Sequence, residues 1–294
     1  MKTDGTIAEK LAEYILSENY KRITSDVIDM VKLATLDSIG CILGAHTSQI
    51  GKIVTEVFYN LGGSKESKII GTRYQTSCMN ASFVNSTLAN VLDFDDTYLW
   101  FGHPGATVIP PAIAVGEKTN ANGKDILLAT LLGYEVSTRI GLGVIPTEKR
   151  LNSVWGIGTW QTIGSVVAAA KLMKLNRKEI VNALGIAGSN APVPSVMKTV
   201  WGSFGPTMVK NNYGCAAAVG VLAALLAEKG FNGPKDIFDG DSGFWIMHGR
   251  RGDVWRRRHC GAGRRNVHSR LCALGGGLFP RRVVRQMHTL PRRH

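Results

Sequence analysis

Apolar residues recur at helical spacing along most of the chain up to residue 247. An apolar residue at every third or fourth position is typical of helices that bury one face. The pattern predicts helices over about 6–16, 25–41, 50–61, 80–95, 107–117, 124–141, 159–174, 176–188 and 207–229, with one short extended piece at 68–71. Strands and helices do not alternate along the chain. The expected fold class is therefore all-α, a large helical bundle.

Local signals add detail to this pattern. Thr6 followed by Glu9 has the spacing of a capping box and marks the start of the first helix. Small residues crowd two of the predicted helices, around 168–170 and 216–220. Because small side chains allow helix backbones to approach one another, these two stretches predict closely packed helix crossings.

The net charge of +13 is concentrated at one end of the chain. Residues 250–294 contain 13 of the 35 basic residues, all of them arginine, and one acid, Asp253. The remaining residues carry 22 basic and 21 acidic groups, a net charge of +1. The body of the chain is thus nearly neutral, and only the tail suggests contact with nucleic acid.

This change of composition divides the chain into a predicted helical domain, 1–247, and an arginine-rich tail, 248–294. The tail contains no lysine and no sustained helical or alternating pattern. So abrupt a change without a linker suggests that a different reading frame begins just after Met247. The alternative interpretation is a genuine basic tail that binds nucleic-acid phosphates. We expect nucleic acid not to be the main partner.

The chain shows no sign of export or membrane insertion. Four acidic residues interrupt the first 18 positions, which lack the apolar core of a signal peptide. The longest apolar stretch, 214–227, is too short to span a bilayer and is predicted to be a buried core helix. The five scattered cysteines favour neither a disulfide framework nor a zinc site. We expect a cytoplasmic protein without a membrane partner.

The segment LDFDDTYLWFGHPGATVIPPAIAVGE, residues 92–117, concentrates the candidate chemistry. Three of its acids, Asp93, Asp95 and Asp96, fall at the end of the helix predicted over 80–95. Acids at that end oppose the helix dipole and cost stability, which suggests that they serve a function. Continued helical spacing predicts one polar face formed by Ser86, Asn90, Asp93 and Thr97.

His103 follows these acids in a His-Pro-Gly turn and is one of two histidines before His248, the other being His46. A carboxylate beside an imidazole orients the ring and raises its basicity, giving a proton donor or acceptor near neutral pH. Taken alone, the spacing slightly favours a solvated acidic rim and an ordinary loop histidine.

Five segments, in order, resemble signature stretches of the MmgE/PrpD family: LDFDDTY, GHPGATVIPPAIAVGE, ATLLGYEVSTRIG, AAAKLMKLNRKEIVNALGIAGS and VKNNYGCAAAVGVLAALLAEKGFNGPKDIFDGDSGFW. The resemblance covers nearly all of residues 1–247. It implies a large helical domain with the active site facing a smaller α/β lid domain. It also implies a homodimeric lyase or isomerase, without metal or organic cofactor, that dehydrates, decarboxylates or epimerises a small anionic, citrate-like polycarboxylate.

The same resemblance assigns roles to individual residues. Asp93, Thr97 and His103 fall on the family's active-site acid, hydroxyl and histidine, and Lys210 falls on its active-site lysine. The expected catalytic residues are therefore His103, Asp93 and Lys210. The expected substrate-binding residues are Thr97, Asp96 and Trp155. Cations and hydroxyls suit such a substrate because they stabilise its charges in a partly dry cleft.

The chain departs from the family pattern at two places. Where the family commonly has His-Pro-Thr-Gly-Thr, the chain reads WGIGT from Trp155, so an indole replaces an active-site histidine. An indole cannot act as an acid or base, which favours another substrate; Trp155 is equally compatible with a core position. After Met247 the resemblance stops and the lid domain is missing. An open cleft weakens substrate positioning, so inactivity of the truncated chain is one expected outcome.

Overall fold

The computed structural model of the chain describes residues 5–98, 102–143, 157–193, 213–240 and 242–245. Within these residues it contains nine α-helices, one 3-10 helix (Tyr20–Arg22) and one hairpin. The helices are α1 (Ile7–Ser17), α2 (Ser25–Ala45), α3 (Gln49–Leu61), α4 (Cys78–Asn90), α5 (Pro104–Thr119), α6 (Gly123–Gly143), α7 (Ile157–Leu172), α8 (Arg177–Asn190) and α9 (Tyr213–Glu228). In the hairpin, strands β1 (Ser67–Lys68) and β2 (Gln75–Thr76) pair antiparallel, with Ser67 opposite Thr76. The predicted all-α fold class is confirmed.

Local sequence signals set several helix starts. The Thr6 side chain accepts a hydrogen bond from the backbone of Glu9, whose carboxylate accepts from the backbone of Thr6. This confirms the predicted capping box of α1. Helix α5 begins earlier than predicted, at Pro104, because proline lacks an N–H that the first turn would leave unpaired.

The helix predicted over about 80–95 ends earlier, at Asn90. Asp93 has a left-handed backbone with φ 53°, and its N–H donates to the carbonyl of Asn90. Side chains rarely adopt that conformation inside a helix, so the chain turns away at this point. The predicted polar face is therefore wrong beyond Asn90. Ser86 is buried within α4, whereas Asp93 and Thr97 lie in the loop that follows.

Small residues bring the central helices into close contact, and the predicted stretch 216–220 takes part in one of these crossings. Where α6 crosses α7, a Cβ atom placed on Gly133 would lie 2.8 Å from the carbonyl oxygen of Gly164. Where α7 crosses α9, a Cβ atom on Gly220 would lie 2.6 Å from the hydroxyl oxygen of Ser165. Carbon atoms do not pack at such distances, so both crossings depend on glycine.

We predict opposite effects for two glycine-to-alanine substitutions. Gly133→Ala forces α6 away from α7 and is expected to lower the free energy of unfolding by about 1–3 kcal/mol. Gly40→Ala is the matched control, because no described atom beyond its own helix lies within 4 Å of a Cβ placed there in α2. It is expected to raise the free energy of unfolding by about 0.5–1 kcal/mol, since alanine favours helix. Urea unfolding of both variants tests this, and equal gains at the two positions would contradict it.

The apolar stretch 214–227 forms most of α9, which is buried in the centre of the bundle. Val221, Ala223, Ala224 and Ala227 are almost fully buried, which confirms the predicted core helix. Among the residues that the structure describes, no helix is long and apolar enough to cross a bilayer.

Candidate active site

The connection between α4 and α5, here called the 91–103 loop, has two described parts, 91–98 and 102–103, that lie against each other. The N–H of Tyr98 donates to the carbonyl of Gly102 at 2.7 Å, which joins the two described parts of the loop. Gly102 packs directly against the indole of Trp160 in α7, where any side chain would overlap the ring. As a result, the acids at the start of the loop lie next to His103 at its end.

His103 is the N-cap residue of α5 and is fixed by side chains from two other helices. Its backbone N–H donates to Oε1 of Gln161 in α7 at 3.1 Å. Its ring lies 5.6 Å, centroid to centroid, from the ring of Tyr213 in α9. Only 13% of the His103 side chain is exposed. The imidazole is thus located at the edge of the core, with restricted access to solvent.

Two carboxylates flank the imidazole on opposite nitrogens. Oδ1 of Asp95 lies 3.3 Å from Nδ1, and Oδ1 of Asp93 lies 3.9 Å from Nε2. The Asp95 side chain is 1% exposed and the Asp93 side chain 48% exposed. Burial lowers the pKa of His103, but the nearby carboxylates of Asp95 and Asp93 outweigh it and raise that pKa above its ordinary value. The ring is therefore suited to gain and lose a proton near neutral pH.

Asp96 anchors the start of α5. Its Oδ1 accepts from the backbone N–H of Gly105 at 3.0 Å, and its Oδ2 accepts from the hydroxyl of Tyr134 at 3.2 Å. A Cβ atom on Gly105 would overlap the Asp96 carboxylate and lie 2.8 Å from the Tyr134 hydroxyl, so only glycine fits. Burial, with repulsion from Asp95 added, raises the pKa of Asp96 to about 7. Both oxygens have partners within the protein, and the substrate-binding role expected for Asp96 stays a prediction.

The MmgE/PrpD N-terminal domain matches residues 9–254 of this chain. The chain belongs to the MmgE/PrpD family. The five segments that suggested this family from the sequence all lie within the matched range, and the first two of them contain residues 92–98 and 102–103 of the loop.

Several curated relatives of this MmgE/PrpD chain are lyases by name. Cis-aconitate decarboxylase of Homo sapiens is 30% identical over 251 residues, which are 83% of this chain and 50% of that protein. Cis-aconitate decarboxylase of Aspergillus terreus is 28% identical over 240 residues, 79% of this chain and 47% of that protein. The 2-methylcitrate dehydratase of Escherichia coli is 25% identical over 192 residues, 60% of this chain and 38% of that protein. The chain spans about half the length of the decarboxylases.

The structure of this MmgE/PrpD chain brings together some of the predicted site residues. His103 and Asp93 are neighbours, as the expected catalytic pair requires. Thr97 lies in the same loop with an exposed side chain. Lys210 and Trp155 lie outside the described residues, so their predicted roles stay predictions.

Sequence reasoning missed three residues of this site: Gln161 and Tyr213, which contact His103, and Tyr134, which binds Asp96. Burial raises the pKa of Tyr213 well above its usual range, so its phenol stays neutral beside the His103 ring. In the sequence, only Gln161 carries an indication of its position in the site, and that indication is weak. Gln161 is a fully buried amide at the start of a helix that is otherwise rich in small and apolar residues, and such a group needs a partner.

Proposed function

We propose that this chain forms the helical half of a lyase or isomerase site that transfers a proton beside a carboxylate of a citrate-like polycarboxylate. The observation that carries the proposal is one nearly buried imidazole between the carboxylates of Asp95 and Asp93. Such a group moves a proton to or from carbon or oxygen at neutral pH. Dehydration, decarboxylation and epimerisation of a polycarboxylate all begin or end with such a step.

His103 is the acid or base in this proposal. Its raised pKa favours the imidazolium in the resting site, where the positive charge offsets part of the charge on the aspartates. The imidazolium then donates a proton to the substrate, or the neutral ring accepts one. Asp93 lies on the exposed side of the ring and stabilises the charged form there.

Substrate binding requires additional positive charge, because three aspartates close to one histidine repel a polyanion. Lys210 is the proposed cation that pairs with a substrate carboxylate. The exposed hydroxyl of Thr97 is the proposed hydrogen-bond donor, and Trp155 the proposed pocket wall. A charge-assisted pair is roughly twice as strong as a neutral hydrogen bond.

The other parts of the proposal rest on the family. They are a homodimer in the cytoplasm, chemistry without metal or organic cofactor, and a helical domain over residues 1–247 that shares its site with a second domain. A substrate enclosed between two domains is shielded from water, which strengthens every charge pair at the site.

The proposal is tested by supplying cis-aconitate and 2-methylcitrate to two purified proteins. One is the chain itself, and the other joins residues 1–247 to the remaining half of the human decarboxylase relative. We expect the joined protein to convert at least one of these acids, and the chain alone to convert less, as followed by chromatography of the products. Failure of both proteins to convert either acid would overturn the proposal.

A further inference from the structure

The two nitrogens of His103 have different surroundings. Nδ1 points into the protein towards Asp95, whose side chain is 1% exposed. Nε2 points to the open side of the 91–103 loop, where the half-exposed Asp93 lies 3.9 Å away. Two carboxylates that look alike in the sequence therefore meet opposite edges of one ring.

A hydrogen bond from α4 fixes the side chain of Asp95. The side-chain amide of Asn90, the last residue of α4, donates to Oδ1 of Asp95 at 2.8 Å. Asn90 is 1% exposed and Asp95 is 7% exposed as a whole residue. A buried carboxylate held by a buried amide has few accessible rotamers, so the end of α4 determines where Asp95 presents its charge.

Nδ1 of His103 and Oδ2 of Asp95 are both buried and lack an aligned hydrogen-bond partner among the residues that the structure describes. Buried polar atoms of this kind are normally paired. Nδ1 already lies 3.3 Å from Oδ1 of Asp95. A small rotation of either side chain would therefore align an N–H on Nδ1 with the Asp95 carboxylate. A carboxylate only accepts hydrogen bonds, so a bond between Asp95 and Nδ1 requires the hydrogen on Nδ1.

We propose that Asp95, held by Asn90, is the positioning residue of His103: it keeps a hydrogen on Nδ1 and leaves Nε2 as the nitrogen that exchanges protons on the open side. The catalytic consequence rests on the proposed function, whereas the position of the hydrogen does not. Asp93, which family resemblance pairs with the histidine, has the second role of facing the exchanging nitrogen.

The test is a long-range ¹H–¹⁵N correlation spectrum of the histidine rings in the intact chain, recorded across a pH titration. The signals of His103 are those lost in His103→Gln. We expect neutral His103 to carry its hydrogen on Nδ1 in the wild-type chain. Asp95→Asn is expected to populate the other tautomer and to lower the pKa of the ring, because the amide can turn its NH₂ group towards Nδ1.

Asp93→Asn is the matched control, since it removes the same charge from the other edge of the ring. We expect it to lower the pKa of His103 while the hydrogen stays on Nδ1. A wild-type ring with its hydrogen on Nε2 would overturn the proposal, and so would an Asp95→Asn spectrum with an unchanged tautomer. The wild-type spectrum decides the matter even if Asp95→Asn fails to fold.

Kinetics separates this proposal from the proposed function. In the joined protein, Asp95→Asn is expected to lower kcat by roughly 10²-fold with little change in KM, because a misplaced ring affects the proton transfer and not substrate binding. An Nδ1 hydrogen without any turnover would leave the positioning intact and overturn the proposed function. Turnover with the hydrogen on Nε2 would instead support the proposed function and overturn the positioning.

Discussion

Replacing His103 with glutamine is expected to lower kcat on a citrate-like acid by roughly 10²- to 10⁴-fold in the joined protein. Glutamine can form hydrogen bonds with the neighbours of the ring, but it cannot carry a proton between them and the substrate. The backbone bond from residue 103 to Gln161 is retained, so the start of α5 should stay in place. The measurement is the steady-state rate across pH.

The matched control for this substitution is His46→Gln. His46 is the other histidine before residue 247, and its Nε2 contacts the carbonyl of Ile70 at 2.6 Å, a bond that glutamine can replace. We expect nearly full activity. Equal activity of His103→Gln and the wild-type protein would exclude His103 as the acid or base.

Replacing Asp96 with asparagine is expected to make the folded chain more stable than the wild type above pH 7. The pKa of Asp96 is raised from 3.8 to about 7 in the folded chain. Folding therefore favours the protonated carboxyl, and the wild-type chain loses stability as pH rises from about 4 to 7. At about 1.36 kcal/mol for each pH unit, the loss reaches at most about 4 kcal/mol and is constant at higher pH.

Asparagine avoids this loss of folding stability because it does not titrate. Its oxygen can accept from the N–H of Gly105, and its amide can donate to the hydroxyl of Tyr134. Asparagine can therefore form both hydrogen bonds that Asp96 forms. The raised pKa of His103 also makes stability fall with pH, and the charge of Asp96 causes only the smallest part of that rise. The difference between the two proteins therefore reports mainly on Asp96.

Urea unfolding at pH 4 and pH 8 provides the measurement. We expect similar free energies of unfolding at pH 4 and a clear gain for Asp96→Asn at pH 8. Asp29→Asn is the control, because Asp29 is an exposed carboxylate in α2 whose ion pair with Lys32 should matter little at either pH. Parallel pH profiles for Asp96→Asn and the wild type would show that Asp96 is not the group responsible.

The helical fold could be predicted because its signals are local. The capping box of α1 and the alanine-rich α7 both appeared in the structure as the sequence indicated. The end of α4 could not be predicted, since Val91, Leu92 and Phe94 continue the apolar spacing beyond Asn90. Phe94 is 82% exposed, so apolar character alone does not say which residues the bundle covers.

The candidate site was also predictable only in part. The sequence identified His103 and its group of acids, but the three acids are alike in chemistry and close in position. Only the folded structure distinguishes them: Asp95 is buried and accepts from Asn90, Asp96 accepts from Tyr134, and Asp93 is half-exposed. Lys210, Trp155 and the tail lie outside the described residues, and their interpretation still rests on sequence alone.

The attachment of the 91–103 loop to α4, α6 and α7 has a consequence for experiments on separate fragments. Asn90, Tyr134 and Gln161 all lie in described helices of this chain, and each binds a side chain or backbone atom of the loop. These three hydrogen bonds, which hold Asp95, Asp96 and His103, therefore come from within the chain. On the proposed function, a fragment that carries the second domain would meet His103 and its acids already in position, so mixing two separately purified pieces is a rational route to a split enzyme.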